Sequence, residues 1–136
     1  MGNKIDQMIK HAYEAMRHAY TPYSHFQVGA CLLTDDDKLF AGCNIENASY
    51  SLTLCAEAVA ISNMVLQGGR QVKEIVVVSS GQQLCYPCGA CRQRLREFTH
   101  NVAELKLYFV LNYCLQQTLS LAELLPFSFG PSHLEN

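Results

Sequence analysis

Residues 72–98, VKEIVVVSSGQQLCYPCGACRQRLREF, join a strand to a helix whose first turn carries two cysteines. Residues 72–78 are β-branched and mostly apolar, which is the pattern of a strand buried on both faces. Pro87 suits the entry to a helix, so we predict a helix over residues 88–98 with both cysteines on its first turn. In sheets built from such units, ligands collect where strands end and helices begin.

A second predicted helix also begins at a cysteine. Residues 55–66 contain good helix formers and start at Cys55. Apolar residues spaced by three and four predict an amphipathic helix over residues 3–20, capped by Asn3 and stopped by Pro22. The remaining predicted elements are strands at 26–34, 38–41, 105–111 and 116–119, a loop over 42–51, and a helical turn at 121–125.

The order of these elements, α-β-β-α-β-α-β-β, predicts the fold class. Strand–helix–strand units with a hairpin at one edge imply a mixed sheet with helices on both faces. We therefore predict an α/β fold with three α-β-α layers around a mixed five-stranded sheet, in a single domain over residues 1–136.

The composition argues against several classes of protein. The 136 residues carry a net charge of −2 with no block of Lys or Arg, whereas a protein that binds phosphates usually has a basic stripe, and this argues against a polynucleotide partner. No apolar stretch approaches the roughly 18 residues needed to cross a bilayer, and residues 1–16 lack the apolar segment of a secretory signal. We expect a cytoplasmic protein with no nucleic-acid and no membrane partner. Charged residues make up only 16% of the chain, which indicates that some surface is buried against other subunits.

Three of the seven cysteines form a pattern typical of a zinc site. Cys55 and the C-x-x-C pair Cys88 and Cys91 would supply three thiolates, and Glu57 follows the first of them by two residues. Zinc prefers four ligands, so three protein ligands leave one position for water, as in catalytic sites. A carboxylate beside that water can take its proton and pass it to a substrate. The pattern therefore predicts metal-assisted hydrolysis.

Cys85 leaves an alternative open, because Cys85 and Cys88 also have C-x-x-C spacing. An iron–sulfur cluster that includes Cys55, a redox pair or a purely structural zinc would use the same residues. We favour zinc on Cys55, Cys88 and Cys91, with Cys85 in the preceding loop. The cysteines expected instead to be small buried hydrophobic residues are Cys31, Cys43 and Cys114.

The predicted site carries a surplus of negative charge. Three thiolates and Zn²⁺ sum to −1, so positive potential is needed around them. Helix N-termini at Cys55 and Cys88 supply some of it through their free N–H groups. Arg92, which directly follows a ligand, is the candidate cation.

Six segments of the chain carry a family resemblance. They are 23–30 (YSHFQVGA), 42–48 (GCNIENA), 55–57 (CAE), 87–93 (PCGACRQ), 124–126 (LLP) and 129–131 (FGP). Together they resemble the small, homotetrameric, zinc-dependent cytidine deaminases over nearly the whole length. The zinc motif is shared across deaminases, and the Asn-Ile-Glu-Asn loop narrows the resemblance to those that act on nucleosides.

The resemblance implies a role for each matching residue. Cys55, Cys88 and Cys91 match the ligands of one zinc ion per subunit, and Glu57 matches the residue that shuttles protons. Phe26 matches a ring that packs on the pyrimidine, and the Ala56 backbone N–H matches a contact to the base. Asn44 and Glu46 match groups that hydrogen-bond the ribose 3′-hydroxyl. Tyr50 and Phe129 match residues near subunit boundaries, with Phe129 reaching a neighbour's pocket. The implied reaction, in pyrimidine salvage, converts cytidine or deoxycytidine and water to the uracil nucleoside and ammonia. It implies a homotetramer with pockets shared between subunits.

One position departs from the family pattern. The family often has an Arg directly after the catalytic Glu, where it partly neutralises the thiolates, and this chain has Ala58 there. Deaminases of the nucleoside antibiotic blasticidin S share the Cys-Ala-Glu-Ala arrangement but generally lack the Asn-Ile-Glu-Asn loop and the Phe26 segment. Cytidine is therefore the expected substrate, and another aminopyrimidine nucleoside such as blasticidin S is the alternative. A nucleic-acid editing deaminase and a zinc-stabilised module without activity are further alternatives.

Overall fold

A single five-stranded sheet organises the structure, a computed structural model that describes residues 4–135. The strands are β1 (Val28–Thr34), β2 (Leu39–Cys43), β3 (Val72–Ser79), β4 (Lys106–Leu111) and β5 (Cys114–Ser120). The helices are α1 (Lys4–Met16), α2 (Ala56–Leu66), α3 (Gly89–Glu97) and α4 (Leu121–Leu124), with 3₁₀ turns at Tyr50–Leu52 and Pro131–Leu134. The strand order across the sheet is β2-β1-β3-β4-β5. This confirms the predicted α/β fold with a mixed five-stranded sheet.

The directions of the strands bring two helix starts to one edge of the sheet. β1 runs antiparallel to both β2 and β3, so β2 and β3 point the same way. β3 and β4 are parallel, and α3 makes the crossover between them. Because α2 follows β2 and α3 follows β3, both helices begin at the edge of the sheet formed by the carboxyl ends of β2 and β3. In register, Gly29 of β1 lies between Cys43 of β2 and Val78 of β3 at this edge.

Helices cover both faces of the sheet, and the alternation of β3 side chains explains why that strand is apolar throughout. Val76 and Val78 point to the face covered by α1, where they pack in one core cluster with Met8 and Ala12. Ile75 points to the opposite face. The larger cluster on that face also includes Ala56, Ala60, Ile61 and Met64 of α2, Leu95 of α3 and Phe109 of β4.

The C-terminal end of β2 lies unusually close to α2. A Cβ atom added to Gly42 would lie 2.4 Å from the Ala60 nitrogen and 2.6 Å from the Ala56 oxygen. Distances this short exclude any side chain, so glycine allows the backbone of β2 to contact the first turn of α2 directly. This contact places the start of α2 relative to the sheet edge.

The element bounds differ from the predicted ones at a few ends. α1 ends at Met16 rather than at residue 20, because Tyr20 instead bonds to the loop after β2: Tyr20 N donates to Asn44 O (3.0 Å) and Glu46 N donates to Tyr20 O (2.8 Å). The predicted cap Asn3 lies outside the described residues. β2 and β5 are longer than predicted, and Cys114, expected to be buried, is exposed at the start of β5.

Within residues 4–135, none of the helices combines the length and the apolar character that a bilayer span requires.

Candidate metal centre and active site

Three cysteine sulfurs converge where α2 and α3 begin. Cys55 is the N-cap of α2, Cys88 is the N-cap of α3, and Cys91 lies in the first turn of α3. All three Sγ atoms lie within 4.8 Å of one another, and those of Cys55 and Cys88 are 3.9 Å apart. Neither N-cap sulfur bonds to its own helix. The three sulfurs are therefore free to bind one common metal ion.

The arrangement of the sulfurs fits zinc. With Zn–S bonds of about 2.3 Å and tetrahedral angles, two sulfurs on one zinc are about 3.8 Å apart, which matches the separation of Cys55 and Cys88. Among the described residues, Cys55, Cys88 and Cys91 form the only group of three or more His, Cys, Asp or Glu side chains close enough to hold one metal ion. Cys85 is not part of this group. An iron–sulfur cluster would require four cysteines.

The sulfurs also interact directly with one another. A hydrogen bond from Cys91 lowers the pKa of the Cys55 thiol to about 6 against the opposing effect of burial, with a bond from Cys88 and the charge of Arg94 lowering it further. Donation to Cys55, together with burial, raises the pKa of Cys91. Such mutual influence is expected of ligands held close enough to bind one ion.

Glu57 is buried beside the cysteines. It lies in the first turn of α2, and only 4% of its surface is exposed. Burial raises the pKa of the Glu57 carboxyl group to about 7, and the negative charge of Cys55 adds to this rise. A hydrogen bond from the backbone N–H of Glu57 and the positive charge of Arg94 act in the opposite direction. A carboxyl group with such a pKa can both accept and donate a proton near neutral pH.

The cation that contacts one of the three sulfurs is Arg94 rather than Arg92. Arg92 is held elsewhere, because Nε donates to Pro87 O (2.8 Å) and Nη1 donates to Leu124 O (2.9 Å). Arg94 Nη1 instead donates to Cys91 Sγ at 3.6 Å. The expectation based on adjacency in sequence was therefore wrong. The spacing of three residues on one helix was the signal that could have identified Arg94.

Asn44 holds the backbone that leads into β1 through two hydrogen bonds. Its Oδ1 accepts from Val28 N (2.9 Å), and its Nδ2 donates to Phe26 O (2.9 Å). Both polar atoms are engaged by the backbone, and one Nδ2 hydrogen remains for another acceptor. Asn44 therefore holds the segment that carries Phe26.

Glu46 organises the loop before Phe26 in a similar way. Its Oε1 accepts from Tyr23 N (3.0 Å) and Ser24 N (3.2 Å), and its Oε2 accepts from the Ser24 hydroxyl. The bond from Ser24 Oγ is the main reason that the pKa of Glu46 is lowered. The charged carboxylate keeps acceptor capacity on Oε2 for a further hydroxyl.

The remaining predicted substrate residues are not gathered in one cavity. Glu46 and Tyr50 line a cavity of about 420 Å³ together with Tyr23 and Ser24, whereas Phe26 lines a different one of about 460 Å³. The two cavities share no lining residue.

Phe129 and Ala56 lie outside both of these cavities. Phe129 stacks on His133 with ring centroids 5.0 Å apart, and its carbonyl accepts from Gln93 Nε2 of α3 at 2.8 Å. Ala56 is the first residue of α2, so its backbone N–H has no partner within the helix. The structure thus joins the three cysteines and Glu57, and leaves the substrate residues around them in separate groups.

Comparison with known proteins identifies the family. The family model described as "Cytidine and deoxycytidylate deaminase zinc-binding region" matches residues 3–106. A cytidine deaminase of Sporosarcina psychrophila is 39% identical over 131 residues, which cover 96% of this chain and 94% of the relative. A cytidine deaminase of Halalkalibacterium halodurans is 44% identical over 122 residues, covering 90% and 91%. The crystal structure of cytidine deaminase from Burkholderia pseudomallei has a TM-score of 0.82 at 39% identity and covers 90% of this chain and 97% of that one.

The matched region contains all three converging cysteines and Glu57. The chain belongs to the cytidine and deoxycytidylate deaminase family of zinc-binding proteins.

Proposed function

We propose that this protein is a cytidine deaminase, which hydrolyses cytidine and deoxycytidine to uridine and deoxyuridine and releases ammonia. The observation that carries the proposal is the convergence of three cysteine sulfurs at two helix starts, next to a buried carboxylate. The family membership and the length of the match to cytidine deaminases support the same reaction.

Cys55, Cys88 and Cys91 are the proposed ligands of one zinc ion per subunit. Their spacing fits tetrahedral Zn–S geometry. When bound there, zinc would supply the Lewis acidity that makes water a nucleophile near neutral pH. The positive ends of the α2 and α3 helix dipoles would stabilise the negative sulfurs.

Glu57 is the proposed catalytic acid and base. Its carboxylate accepts a proton from the attacking water and delivers one to N3 of the pyrimidine, which makes C4 electrophilic. A second proton passes through the same carboxyl group to the amino group, which leaves as ammonia. Burial beside Cys55 supports this role, because it raises the pKa of the carboxyl group to about 7 and either protonation state is then accessible near neutral pH.

The proposed substrate contacts follow from the groups that each residue has available. Phe26 offers an aromatic face to the pyrimidine, and Ala56 offers a free backbone N–H to the base. Asn44 and Glu46 keep a donor and an acceptor for the ribose 3′-hydroxyl after their loop bonds are made. The aromatic positions proposed near subunit boundaries are Tyr50 and Phe129.

We further propose a single-domain enzyme that works in the cytoplasm as a homotetramer with pockets shared between subunits. Tyr50 and Phe129 are exposed in the isolated chain, at 77% and 56%. Large aromatic side chains at these positions are suited to burial by a neighbouring subunit. The separation of Phe26 from the cavity of Tyr50 also supports a pocket completed by a second chain.

The test is to measure zinc content and deamination on the same purified protein. We expect one zinc per chain and a fall in ultraviolet absorbance when cytidine or deoxycytidine is added, with blasticidin S left unchanged. Glu57→Gln should retain zinc and lower turnover by about 100-fold or more, because the acid–base group is lost.

Glu104→Gln provides the matched control, since Glu104 is an exposed residue before β4 and the change is chemically the same. It should behave as the unmodified protein. Zinc-loaded protein that leaves cytidine intact would refute the proposed reaction, and near-normal turnover by Glu57→Gln would remove Glu57 from the mechanism.

A further inference from the structure

Arg94 places a positive charge against one of the three sulfurs. It lies three residues after Cys91 on α3, and its Nη1 donates to Cys91 Sγ at 3.6 Å. Residues three apart are neighbours on a helix surface. Long helical side chains also lean towards the N-terminus, over the preceding turn. The backbone of α3 therefore directs this guanidinium back onto the sulfur.

No other described arginine occupies an equivalent position. Ala58 lies three residues after Cys55 on α2, as Arg94 does after Cys91 on α3, but its methyl group cannot donate a hydrogen bond. Arg92 is held by two backbone carbonyls. Within residues 4–135, Arg94 makes no ion pair with a carboxylate. Its charge is available to the sulfur, and it also acts on the neighbouring Glu57 carboxyl group.

The charge of the site gives this contact its importance. Under the ligand set proposed above, three thiolates and Zn²⁺ leave a net charge of −1 in a site where Cys91 is fully buried. A charge-assisted hydrogen bond to a thiolate is stronger than a neutral one and withdraws electron density from the sulfur. Groups that bond to metal ligands in this way change both metal affinity and the Lewis acidity of the metal.

We propose that Arg94 is the positioning residue that neutralises the thiolate site of this protein, a role that α2 leaves unfilled at Ala58. The guanidinium holds the Cys91 sulfur in its ligating orientation and reduces the negative charge donated to the metal. This inference rests on the proposed zinc ligands and adds a residue that contacts neither zinc nor substrate.

The test compares Arg94→Met with Arg94→Lys. Methionine keeps most of the side-chain length without charge, and lysine keeps the charge. Zinc affinity is measured by competition with a chromogenic chelator, and turnover is measured on cytidine with zinc in excess. We expect Arg94→Met to bind zinc about 10-fold more weakly and to have a lower kcat with little change in KM. Arg94→Lys should recover most of both losses.

Arg70→Met is the matched control, because it removes the same charge from an exposed arginine that bonds to Val65 O and Gly69 O at the end of α2. It should keep the original zinc affinity and kcat. The double variant Ala58→Arg/Arg94→Met returns a guanidinium to the site from α2, and we expect it to regain zinc affinity. Ala58 is only 7% exposed, so the thermal unfolding of this double variant is checked first. If the double variant does not fold, the comparison of Arg94→Met with Arg94→Lys tests the proposal by itself.

The proposal is overturned if Arg94→Met holds zinc and turns over cytidine as the original protein does. It is also overturned if Met and Lys variants lose zinc equally while unfolding at a lower temperature, since that result indicates a packing role. The zinc measurement does not depend on the substrate. A protein that binds zinc but leaves cytidine intact would refute the proposed reaction and still test Arg94.

Discussion

Asn44 Nδ2 donates a hydrogen bond to the backbone oxygen of Phe26 at 2.9 Å, across 18 positions of sequence. The Oδ1 atom of the same side chain accepts from Val28 N. One amide thus links the end of β2 to the backbone on both sides of residue 27, at the edge of the sheet where α2 and α3 begin. The placement of the Phe26 ring therefore depends on Asn44 as well as on its own packing.

Asn44→Asp should raise the KM for cytidine by about 10-fold and leave zinc content unchanged. Aspartate keeps the acceptor for Val28 N but replaces the donor to Phe26 O with a second acceptor. The cost of such an unsatisfied contact is about 1–3 kcal/mol. Steady-state kinetics and zinc analysis on one preparation measure the two effects.

Asn101→Asp is the control for Asn44→Asp. The Oδ1 atom of Asn101 accepts from Ala103 N in a bond that aspartate also accepts, in the loop before β4. The Asn101→Asp substitution makes the same change in charge as Asn44→Asp and should leave the KM for cytidine unchanged. Because aspartate also lacks the Nδ2 hydrogen proposed to bond the ribose, an unaltered KM in Asn44→Asp would contradict both that contact and the dependence of Phe26 on this bond.

Gly42→Ala should destabilise the protein by about 1–3 kcal/mol, the usual cost of overpacking. The added methyl would lie 2.4 Å from Ala60 N, so β2 and the first turn of α2 must separate. Because that turn carries Glu57 and follows Cys55, we also expect weaker zinc binding. Denaturant unfolding and chelator competition measure the two losses.

Gly89→Ala tests whether the loss is specific to Gly42. A Cβ at Gly89 has no neighbour within 4 Å, and alanine is the better residue in a helix. Its free energy of unfolding should be unchanged or higher. Equal stability of the two variants would contradict the close packing of β2 against α2.

Cys88→Ala should abolish stoichiometric zinc binding, whereas Cys85→Ala should retain one zinc per chain. Cys88 belongs to the group of three sulfurs and Cys85 does not. Elemental analysis after dialysis against a weak chelator distinguishes the two. The opposite result, with zinc lost from Cys85→Ala alone, would show that the other C-x-x-C spacing supplies the ligands.

Phe129→Ala should raise the KM for cytidine by up to about 10-fold, the value of one aromatic contact, and leave zinc binding intact. The Phe129 carbonyl, which accepts from Gln93, is part of the backbone and is not removed by this change. Leu66→Ala, which removes an exposed apolar side chain at the far end of α2, is the control and should have normal kinetics. Unchanged kinetics in Phe129→Ala would place the C-terminal segment outside the pocket.

Much of the fold could be predicted because its elements have strong local signals. The apolar run at residues 72–78, the helix over 55–66 and the helix over 88–98 all lie within two residues of β3, α2 and α3. The end of α1 was predicted too late, because the bonds that take Tyr20 out of the helix come from Asn44 and Glu46, which are distant in sequence.

The convergence of the three cysteines could be predicted because their chemistry and spacing are local. Cysteines three apart lie on the same side of one helix turn, and a third at another helix start completes a set that zinc prefers. The preference for Cys88 over Cys85 stays a prediction, and it is consistent with the position of Cys85 outside the group of sulfurs. Adjacency, by contrast, was a poor guide to the cation, because neighbouring residues on a helix point about 100° apart.

The sequence by itself determined which residues could bind zinc and move protons, since residue type and helical spacing decide that chemistry. Only the tertiary structure decided which arginine faces the sulfurs and what holds Phe26. The physical reason is that burial of Cys91 and Leu95 sets the rotation of α3, which turns Arg92 towards Leu124 O and Arg94 towards Cys91. In the same way, pairing of β1 with β2 brings Asn44 to Phe26 O, a contact that no local pattern contains.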